Sequence, residues 1–262
     1  MHAENNLLEE NITKTILIMQ KAQKIAVLTG SGVSAESGIP TFRASDGLWE
    51  GHRIEEVATP EGFQKNPRLV WAFYNERRRC ARGAQPNPGH LALAKLGDHL
   101  GERLALITQN VDGLHQRAGN RGVLELHGSL HRTRCTCCET IAPAEEADLS
   151  ELPACTRCGG LLRPDIVWFH EALNPDVWEN ACIAVALCHV LLVIGTSAVV
   201  HPAASLIPMS RTQDRSWGKD HPATIIEINL ATTEASQQAD LCLLGPSGVI
   251  LPQLIQGYLA AI

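Results

Sequence analysis

Four cysteines of the chain are spaced as the ligands of a metal ion. Cys135 and Cys138 form one C-x-x-C pair, and Cys155 and Cys158 form a second pair after a spacer of sixteen residues. Each C-x-x-C turn can present two thiolates to one ion, so two turns complete a tetrahedral zinc site. Because four sulfur ligands leave no position for water or substrate, a zinc ion held in this way would be structural. Cys137 is an alternative ligand for the first pair, and free or redox-active thiols are the alternative interpretation.

A glycine-rich turn suggests a second kind of chemistry, the binding of phosphate. The segment GSGVSAESGIPTFR begins at Gly30, one residue beyond the apolar residues 25–28. Gly30, Gly32 and Ala35 give the spacing G-x-G-x-x-A, in which the glycines let the backbone approach a ligand at a strand-to-helix junction. Pro40 stops a helix soon afterwards, and no second strand with a terminal acid follows. The turn therefore predicts a nucleotide site unlike that of a hydride-transferring dehydrogenase, and an ordinary βα turn is the alternative.

Polar residues follow two further apolar runs, at the points where predicted strands end. Asn110 and Asp112 come after residues 104–107, and together they can recognise a carboxamide, which needs both a donor and an acceptor. His127 follows the run 123–126, and its position beside other polar strand ends favours a catalytic role. An Asx-rich turn and a structural histidine are the alternative interpretations. Because parallel strands end at the same edge of a sheet, the pattern favours one shared site.

Six short apolar runs must position these groups. Helical patterns separate several of the runs, which lie at residues 25–28, 104–107, 123–126, 190–194, 225–228 and 241–244. Runs of this kind are typical of a parallel sheet that is covered on both faces. We therefore predict an α/β fold with a Rossmann-like doubly wound parallel sheet, formed by residues 1–44, 101–127 and 166–262. A helical insertion at 45–100 and a zinc-binding module at 128–165 would form a smaller lobe.

Composition and charge narrow the function classes. The chain has 262 residues, of which 45% are hydrophobic and 19% are charged, as is usual for a globular enzyme. A net charge of −6 argues against direct nucleic-acid binding, and no apolar run approaches the length that spans a membrane. Nine cysteines, an odd number, favour a reducing compartment over a disulfide framework. The N-terminal region carries acidic residues and no arginine, unlike a signal or transit peptide, so we expect a cytoplasmic location.

The segment that begins at Gly30 resembles the G-A-G-x-S-x-x-S-G-I-P-x-F-R motif of sirtuins, the NAD-dependent protein-lysine deacylases. Further segments match sirtuins in the same order, namely TQNVDGLH at 108–115, LHG at 126–128, the two cysteine pairs and GTS at 195–197. The resemblance extends over nearly the whole chain. It implies a deacylase with one structural zinc ion and NAD as co-substrate, acting on acylated lysine side chains of proteins. An NAD- or ADP-ribose-binding regulatory protein and a protein ADP-ribosyltransferase on the same fold are the alternatives.

The resemblance also implies roles for individual residues. His127 would be the general base that acts on the ribose hydroxyls of NAD, after the carbonyl oxygen of acyl-lysine has displaced nicotinamide. The products would be nicotinamide, O-acyl-ADP-ribose and free lysine. The residues implied to bind the cofactor are Gly30, Ser31, Gly32, Val33, Ala35, Glu36, Thr41, Phe42, Arg43, Trp49, Gln109, Asn110, Val111, Asp112, Gly195, Thr196, Ser197, Asn229, Leu230 and Ser247.

A segment near the middle of the chain is implied to bind the substrate peptide. Val167, Trp168 and Phe169 resemble the strand along which sirtuins align that peptide. Pairing through the backbone of such a strand gives affinity with little sequence preference. His170 stands where glycine is usual in the family, which leaves the conformation of this loop open.

Tyr74 and Arg77 could recognise the acyl group. Three residues apart in a predicted helix, they share one face, where the guanidinium fork can pair with a carboxylate and the tyrosine adds a hydroxyl donor. Sirtuins of the bacterial, class III or desuccinylase-like type carry the same Y-x-x-R, and Thr41 in place of aspartate agrees with that type. The resemblance thus implies removal of acetyl and also of succinyl or malonyl groups. A core tyrosine beside a solvated arginine cluster is the alternative interpretation.

Overall fold

A computed structural model of the chain describes residues 2–41, 48–49, 51–145, 150–212 and 221–261. The strands of these residues are β1 (Ile25–Thr29), β2 (Leu48–Trp49), β3 (His52–Arg53), β4 (Leu104–Thr108), β5 (Leu124–Glu125), β6 (Gly128–Cys135), β7 (Ile141–Pro143), β8 (Leu162–Ile166), β9 (Val190–Ile194), β10 (Thr224–Asn229) and β11 (Leu241–Leu244). The α-helices are α1 (His2–Lys21), α2 (Gly32–Ala35), α3 (Ile54–Val57), α4 (Pro60–Lys65), α5 (Pro67–Gly83), α6 (Pro88–Leu100), α7 (Leu114–Arg117), α8 (Pro175–Leu187), α9 (Leu206–Met209) and α10 (Ser247–Ala260). Within the described ranges, none of these helices is apolar over the length that a membrane span needs.

Six parallel strands form the main sheet, in the spatial order β11-β10-β9-β1-β4-β5. β1 pairs with β4 on one side and with β9 on the other, so the chain builds one half of the sheet and then returns to the centre to build the other half. This is the strand order of a doubly wound Rossmann-like sheet, and the predicted fold class is confirmed. Ligands of such sheets bind at the carboxyl ends of the strands where the order reverses, which here is between β1 and β9.

Apolar side chains on both faces explain why the central strands are buried. Every residue of β1 and of β9 lies in the interior. Helices α1, α6 and α10 cover one face with a core that includes Val27 and Leu192. Helices α8 and α9 cover the other face around Leu28 and Val193. Successive side chains of one strand therefore enter different cores, which requires the uninterrupted apolar runs seen in the sequence.

A smaller antiparallel sheet has the order β7-β6-β8 and carries the cysteine pairs near one end. Helices α3, α4 and α5 pack against it through a third core, which includes Val57, Phe63, Trp71, Leu130 and Trp168. The apolar face of α5 thus covers the small sheet. The cavity described below lies between this third core and the main sheet.

Helix α6 lies against the main sheet, although the predicted boundaries assign it to the helical insertion. Its buried residues Leu93, Leu96 and Leu100 belong to the core that contains Val27. It also packs closely against α10, the last helix of the main layer. The apolar stripe of α6 therefore stabilises the Rossmann-like layer and does not contribute to the third core.

Candidate active site

The glycine-rich turn after β1 packs against the turn after β9. The backbone N–H of Gly30 donates to the carbonyl of Ile194 (3.0 Å), and that of Gly32 donates to the carbonyl of Gly195 (2.8 Å). A Cβ atom on Gly32 would lie 2.7 Å from that carbonyl oxygen, a distance that real Cβ atoms do not show. Gly195 has a φ of +58°, and a Cβ atom there would collide with the backbone nitrogen of Val33. Glycine is therefore needed on both turns to bring their loops to one site.

Ser34 joins the two polar residues that follow β4. Its hydroxyl donates to one carboxylate oxygen of Asp112 (2.7 Å) and accepts from the side-chain amide of Asn110 (3.1 Å). The other carboxylate oxygen of Asp112 accepts from the backbone N–H of Leu114 (2.8 Å). Ser34, Asn110 and Asp112 are all buried. The amide and the carboxylate therefore have fixed orientations, as the recognition of a carboxamide requires.

Two buried histidines lie behind Ser34. Nδ1 of His90 accepts from the backbone N–H of Asn87 (3.3 Å), so its proton is on Nε2, which lies 3.4 Å from the hydroxyl oxygen of Ser34. The ring centre of His115 lies 4.8 Å from that of His90, and its Nε2 is 3.0 Å from the hydroxyl of Thr29. Burial lowers the pKa of His90, and it lowers the pKa of His115 to about 3. Both rings are therefore neutral near pH 7.

His127 follows β5 and is oriented by the neighbouring strand end. Its Nδ1 lies 3.0 Å from the backbone carbonyl of Gln109. Because a carbonyl only accepts, Nδ1 carries the proton and Nε2 is left as the basic atom. Burial lowers the pKa of His127 below its ordinary value of 6.5, although the hydrogen bond to Gln109 acts in the opposite direction. The imidazole is therefore neutral near pH 7, in the form that a general base needs.

A cavity of about 240 Å³ opens beside these groups, between the carboxyl edge of the main sheet and the third core. Fourteen of the predicted site residues line it, namely Gly30, Ser31, Tyr74, Arg77, Gln109, Asn110, Val111, Asp112, His127, Val167, Trp168, Phe169, Thr196 and Ser197. The fold thus brings the predicted base, the predicted carboxamide-binding pair and the predicted acyl-binding residues to one cavity.

Tyr74 and Arg77 reach the cavity from α5. Both are largely buried, and the guanidinium carbon of Arg77 lies 5.4 Å from the ring centre of Phe73. The hydroxyl oxygen of Tyr74 accepts from Nε1 of Trp168 (3.0 Å). Burial raises the pKa of Tyr74, so the hydroxyl keeps its proton. This end of the cavity combines a guanidinium with a neutral phenol, a pair of groups suited to an anionic ligand.

The predicted peptide-binding segment uses its own N–H groups within the chain. Those of Val167, Trp168 and Phe169 donate to the carbonyl of His127 (3.0 Å), the carboxylate of Glu171 (2.9 Å) and the carbonyl of Ala58 (3.0 Å). These bonds fix the segment between the two lobes. A peptide that pairs with it would have to do so through carbonyl oxygens of the segment.

His170 adopts a backbone conformation that glycine favours. Its φ is +70°, in the left-handed region where non-glycine residues are uncommon. Its side chain is exposed, with Nδ1 3.9 Å from a carboxylate oxygen of Glu61. The histidine that replaces the usual glycine therefore keeps a left-handed turn and points its ring outward.

Glu36 and Ser247, both predicted to bind the cofactor, bind each other. The carboxylate of Glu36 accepts from the hydroxyl of Ser247 (3.2 Å) and from the backbone N–H of Gly248 (2.8 Å). It thus lies at the start of α10, where free backbone N–H groups favour a negative charge. The contact ties the glycine-rich turn to the last helix of the chain.

The remaining predicted cofactor residues have varied surroundings. Asn229 donates to the backbone carbonyl of Thr196 (2.9 Å), which joins the ends of β9 and β10. Leu230, the next residue, is 67% exposed, whereas Val33 is fully buried in the core, so only its backbone can reach a ligand. Phe42 and Arg43 lie outside the described residues, and Trp49 is described only as part of β2. No contact with the cavity is seen for Ala35, the last residue of α2, or for Thr41, the last described residue of the segment that follows it.

The paired cysteines meet near the end of the small sheet. The Sγ atoms of Cys135, Cys138, Cys155 and Cys158 all lie within 4.8 Å of one another, with separations that include 3.4 Å, 3.5 Å and 3.7 Å. A tetrahedron with Zn–S bonds of 2.3 Å has edges of about 3.8 Å, so this set of donors fits a structural zinc ion. Backbone N–H groups of Cys138 and Cys137 lower the pKa of Cys135 and favour its thiolate form. Cys137 is not part of the cluster.

Comparisons with known proteins agree with this geometry. A sequence model of the Sir2 family matches residues 30–202. The chain belongs to the Sir2 family. A relative from Canis lupus familiaris, NAD-dependent protein deacylase sirtuin-5, mitochondrial, is 40% identical over 264 residues, which cover 91% of this chain and 83% of the relative.

Solved structures of Sir2 proteins have the same fold as this Sir2-family chain. A Sir2 homologue in complex with NAD is 44% identical and aligns with a TM-score of 0.85 over 95% of this chain and 94% of the homologue. A Sir2 protein bound to an acetylated peptide is 30% identical and aligns with a TM-score of 0.80 over 94% of this chain and 98% of that protein. The alignment therefore spans nearly the whole chain, including the residues of both sheets.

Sequence reasoning missed several residues that the Sir2 fold brings to the site. Ser34 lies in the glycine-rich segment, and its position one helical turn after Gly30 was the available signal. His90 caps the start of α6, and nothing in its own segment relates it to Ser34. Leu130 and Ala81, which also line the cavity, look like ordinary core residues in the sequence.

Proposed function

We propose that this Sir2-family chain is an NAD-dependent protein-lysine deacylase that releases nicotinamide and O-acyl-ADP-ribose. The observation that carries the proposal is a neutral His127, with Nε2 as its basic atom, in the same cavity as the glycine-rich turn and the Asn110–Asp112 pair. The name of the sirtuin-5 relative and the NAD and acetylated-peptide complexes of the two Sir2 structures support it.

Each group of the cavity has a distinct role in this proposal. NAD would supply the leaving nicotinamide and the ribose that takes the acyl group. Nε2 of His127 would remove a proton from a ribose hydroxyl, while Nδ1 stays bonded to Gln109 and keeps the ring in place. Asn110 and Asp112 would hold the carboxamide of nicotinamide, because Ser34 fixes both of their side chains. The turns after β1, β9 and β10 would hold the rest of the dinucleotide.

The acyl preference of the enzyme follows from the other end of the cavity. Arg77 and Tyr74 can both bind the terminal carboxylate of a succinyl or malonyl group, one through its charge and the other through its hydroxyl. Trp168 and Phe169 provide apolar surface along the way. We therefore propose that the enzyme accepts acyl chains with a terminal carboxylate as well as acetyl groups, in agreement with its similarity to sirtuin-5.

Nicotinamide release in the presence of NAD and matched peptides tests the reaction. We expect release only when both NAD and an acyl-lysine peptide are present, with one deacylated peptide formed per nicotinamide. NAD consumption that does not need the acyl group would instead favour an ADP-ribosyltransferase. Acetyl, malonyl and succinyl forms of one peptide, mixed in competition, would give the acyl preference.

The variant Arg77→Met tests the carboxylate site. Because hydrogen bonds to charged groups contribute roughly 1.5–3 kcal/mol, we expect kcat/KM for the succinyl peptide to fall about 10- to 100-fold. Activity on the acetyl peptide should change much less. Arg79→Met is a matched control, because Arg79 lies on the same helix and pairs with Glu76 at the surface. Equal losses on both peptides for Arg77→Met would contradict a carboxylate-binding role.

We also propose the predicted division of the chain, with 45–100 and 128–165 as insertions that form the smaller lobe, except that α6 acts with the main sheet. A cytoplasmic location is our proposal for the compartment. A reducing environment suits four cysteine thiolates that hold zinc, and the cysteines of the described residues form no disulfide.

A further inference from the structure

The indole of Trp168 contacts the proposed acyl site through one directional bond. Its Nε1 donates to the hydroxyl oxygen of Tyr74 at 3.0 Å, and both side chains are almost completely buried. An indole N–H can only donate, so the oxygen of Tyr74 must be the acceptor in this bond. The proton of the phenol therefore points away from Trp168.

The indole itself is held in place from several sides. The guanidinium carbon of Arg163 lies 3.4 Å from its ring centre, and the ring of Phe63 packs at 5.3 Å. Arg163 forms a fork with both carboxylate oxygens of Glu171, at 2.6 Å and 2.8 Å. Glu171 also accepts from the backbone N–H of Trp168. These contacts leave the indole little freedom to turn its N–H away from Tyr74.

Tyr74 and Arg77 lie one turn apart on α5 and line the same cavity. A phenol whose oxygen accepts from an indole has a single proton to donate and a restricted set of directions for it. An acyl carboxylate bound to Arg77 would lie in the cavity that the phenol also lines. Such an acceptor would meet a donor that is already oriented, which reduces the ordering that binding requires.

We propose that Trp168 is a positioning residue for acyl selectivity, since its N–H orients the hydroxyl of Tyr74 toward the carboxylate of the acyl chain. This inference rests on the acyl preference proposed above. The resemblance to sirtuins implies that the backbone of Trp168 pairs with the substrate peptide. The role proposed here is a different one, because it belongs to the side chain and concerns the acyl end of the substrate.

A double-mutant cycle tests the inference. The variants are Trp168→Phe, Tyr74→Phe and the double variant, and the readout is the ratio of kcat/KM for succinyl and acetyl forms of one peptide. We expect Trp168→Phe to lower the ratio about fivefold, the effect of one neutral hydrogen bond of about 1 kcal/mol. In the Tyr74→Phe background the same change should leave the ratio unaltered, because the group that it orients is gone.

Trp71→Phe is the matched control. Trp71 is buried in the same core, and its Nε1 also makes one hydrogen bond, to the backbone carbonyl of Leu162 (3.2 Å). Loss of this hydrogen bond in Trp71→Phe should lower the stability of the protein without changing the succinyl-to-acetyl ratio of kcat/KM. If Trp168→Phe does not fold, benzothienylalanine incorporated at position 168 keeps the size of the ring and removes the N–H.

The outcomes separate the inference from the proposed function. A wild-type enzyme that does not act on the succinyl peptide would overturn both the proposed acyl range and the role of Trp168. Activity on the succinyl peptide with a succinyl-to-acetyl ratio that survives loss of the indole N–H would overturn only the role of Trp168. Equal effects of the indole change in the wild-type and Tyr74→Phe backgrounds would also overturn it, because Trp168 would then act through general packing.

Discussion

Replacing Ser34 by alanine should reveal how strongly one hydroxyl organises the nicotinamide end of the cavity. The hydroxyl is fully buried, donates to Asp112 at 2.7 Å and accepts from Asn110 at 3.1 Å. His90 approaches it from behind at 3.4 Å. Alanine leaves a buried carboxylate oxygen without this donor and a buried amide without this acceptor, and it creates no steric conflict.

The expected loss of stability follows from the hydrogen bonds of Ser34 with Asp112 and with Asn110. A hydrogen bond to a charged group contributes roughly 1.5–3 kcal/mol, and a neutral bond contributes about 1 kcal/mol. We therefore expect the free energy of unfolding to fall by about 3 kcal/mol. For a chain of this size that loss lowers Tm by about 6–12 °C. Loss of these bonds should also let Asn110 and Asp112 move from their positions. If this movement raises the free energy of the transition state for nicotinamide release by about 1.4 kcal/mol, the rate falls about tenfold.

Thermal unfolding and nicotinamide exchange, measured side by side, check both parts of this prediction. Exchange of labelled nicotinamide in the presence of an acyl peptide reports on the step in which Asn110 and Asp112 would act. Ser37→Ala is the control, because the hydroxyl of Ser37 accepts only from the side chain of Asn87 among the described contacts and does not line the cavity. A Tm within 2 °C of wild type for Ser34→Ala, or an unchanged exchange rate, would refute the reasoning.

Two further predictions concern the base and the zinc cluster. Because burial lowers the pKa of His127 and the neutral ring is the active form, kcat/KM should stay level as pH falls to 6.5 and should decline only below that value. His127→Ala should abolish turnover and keep NAD binding measurable by calorimetry. A wild-type pH profile in which kcat/KM reaches half of its maximum only above pH 7 would contradict the assignment of His127 as the base. Elemental analysis should find about one zinc per chain, and a strong chelator or Cys155→Ser should lower Tm, since the four thiolates stabilise a module with a small core of its own. Unchanged Tm after complete zinc removal would show that the metal is not structural.

Local patterns were sufficient to predict much of the site. The runs around β1, β4, β9 and β11 became parallel strands at the predicted places, because buried parallel strands need uninterrupted apolar residues. Parallel strands also place their carboxyl ends together, so Gly30, Asn110 and His127 converge as expected. Helical spacing predicted that Tyr74 and Arg77 share one face of α5, whereas their place in a pocket was implied by the resemblance to sirtuins.

Other features depend on partners that are far apart in the chain. Ser34 and Asp112 are 78 residues apart, Tyr74 and Trp168 are 94 apart, and the contact of Glu36 with Ser247 spans 211 residues. No spacing rule relates such residues to each other. Their contacts follow from the packing of helices and sheets, which also placed α6 on the main sheet.

The sequence by itself determined the kind of chemistry that this protein can perform. Glycines at the turn after β1, cysteines in two close pairs and polar residues at strand ends are local signals, since each depends on backbone conformation or on ligands a few residues apart. Only the tertiary structure decided which ring nitrogen carries the proton in His127 and in His90, and that the indole of Trp168 donates a hydrogen bond to Tyr74. Those features depend on hydrogen-bond partners supplied by other segments, because a side chain is oriented by the groups that the fold packs against it.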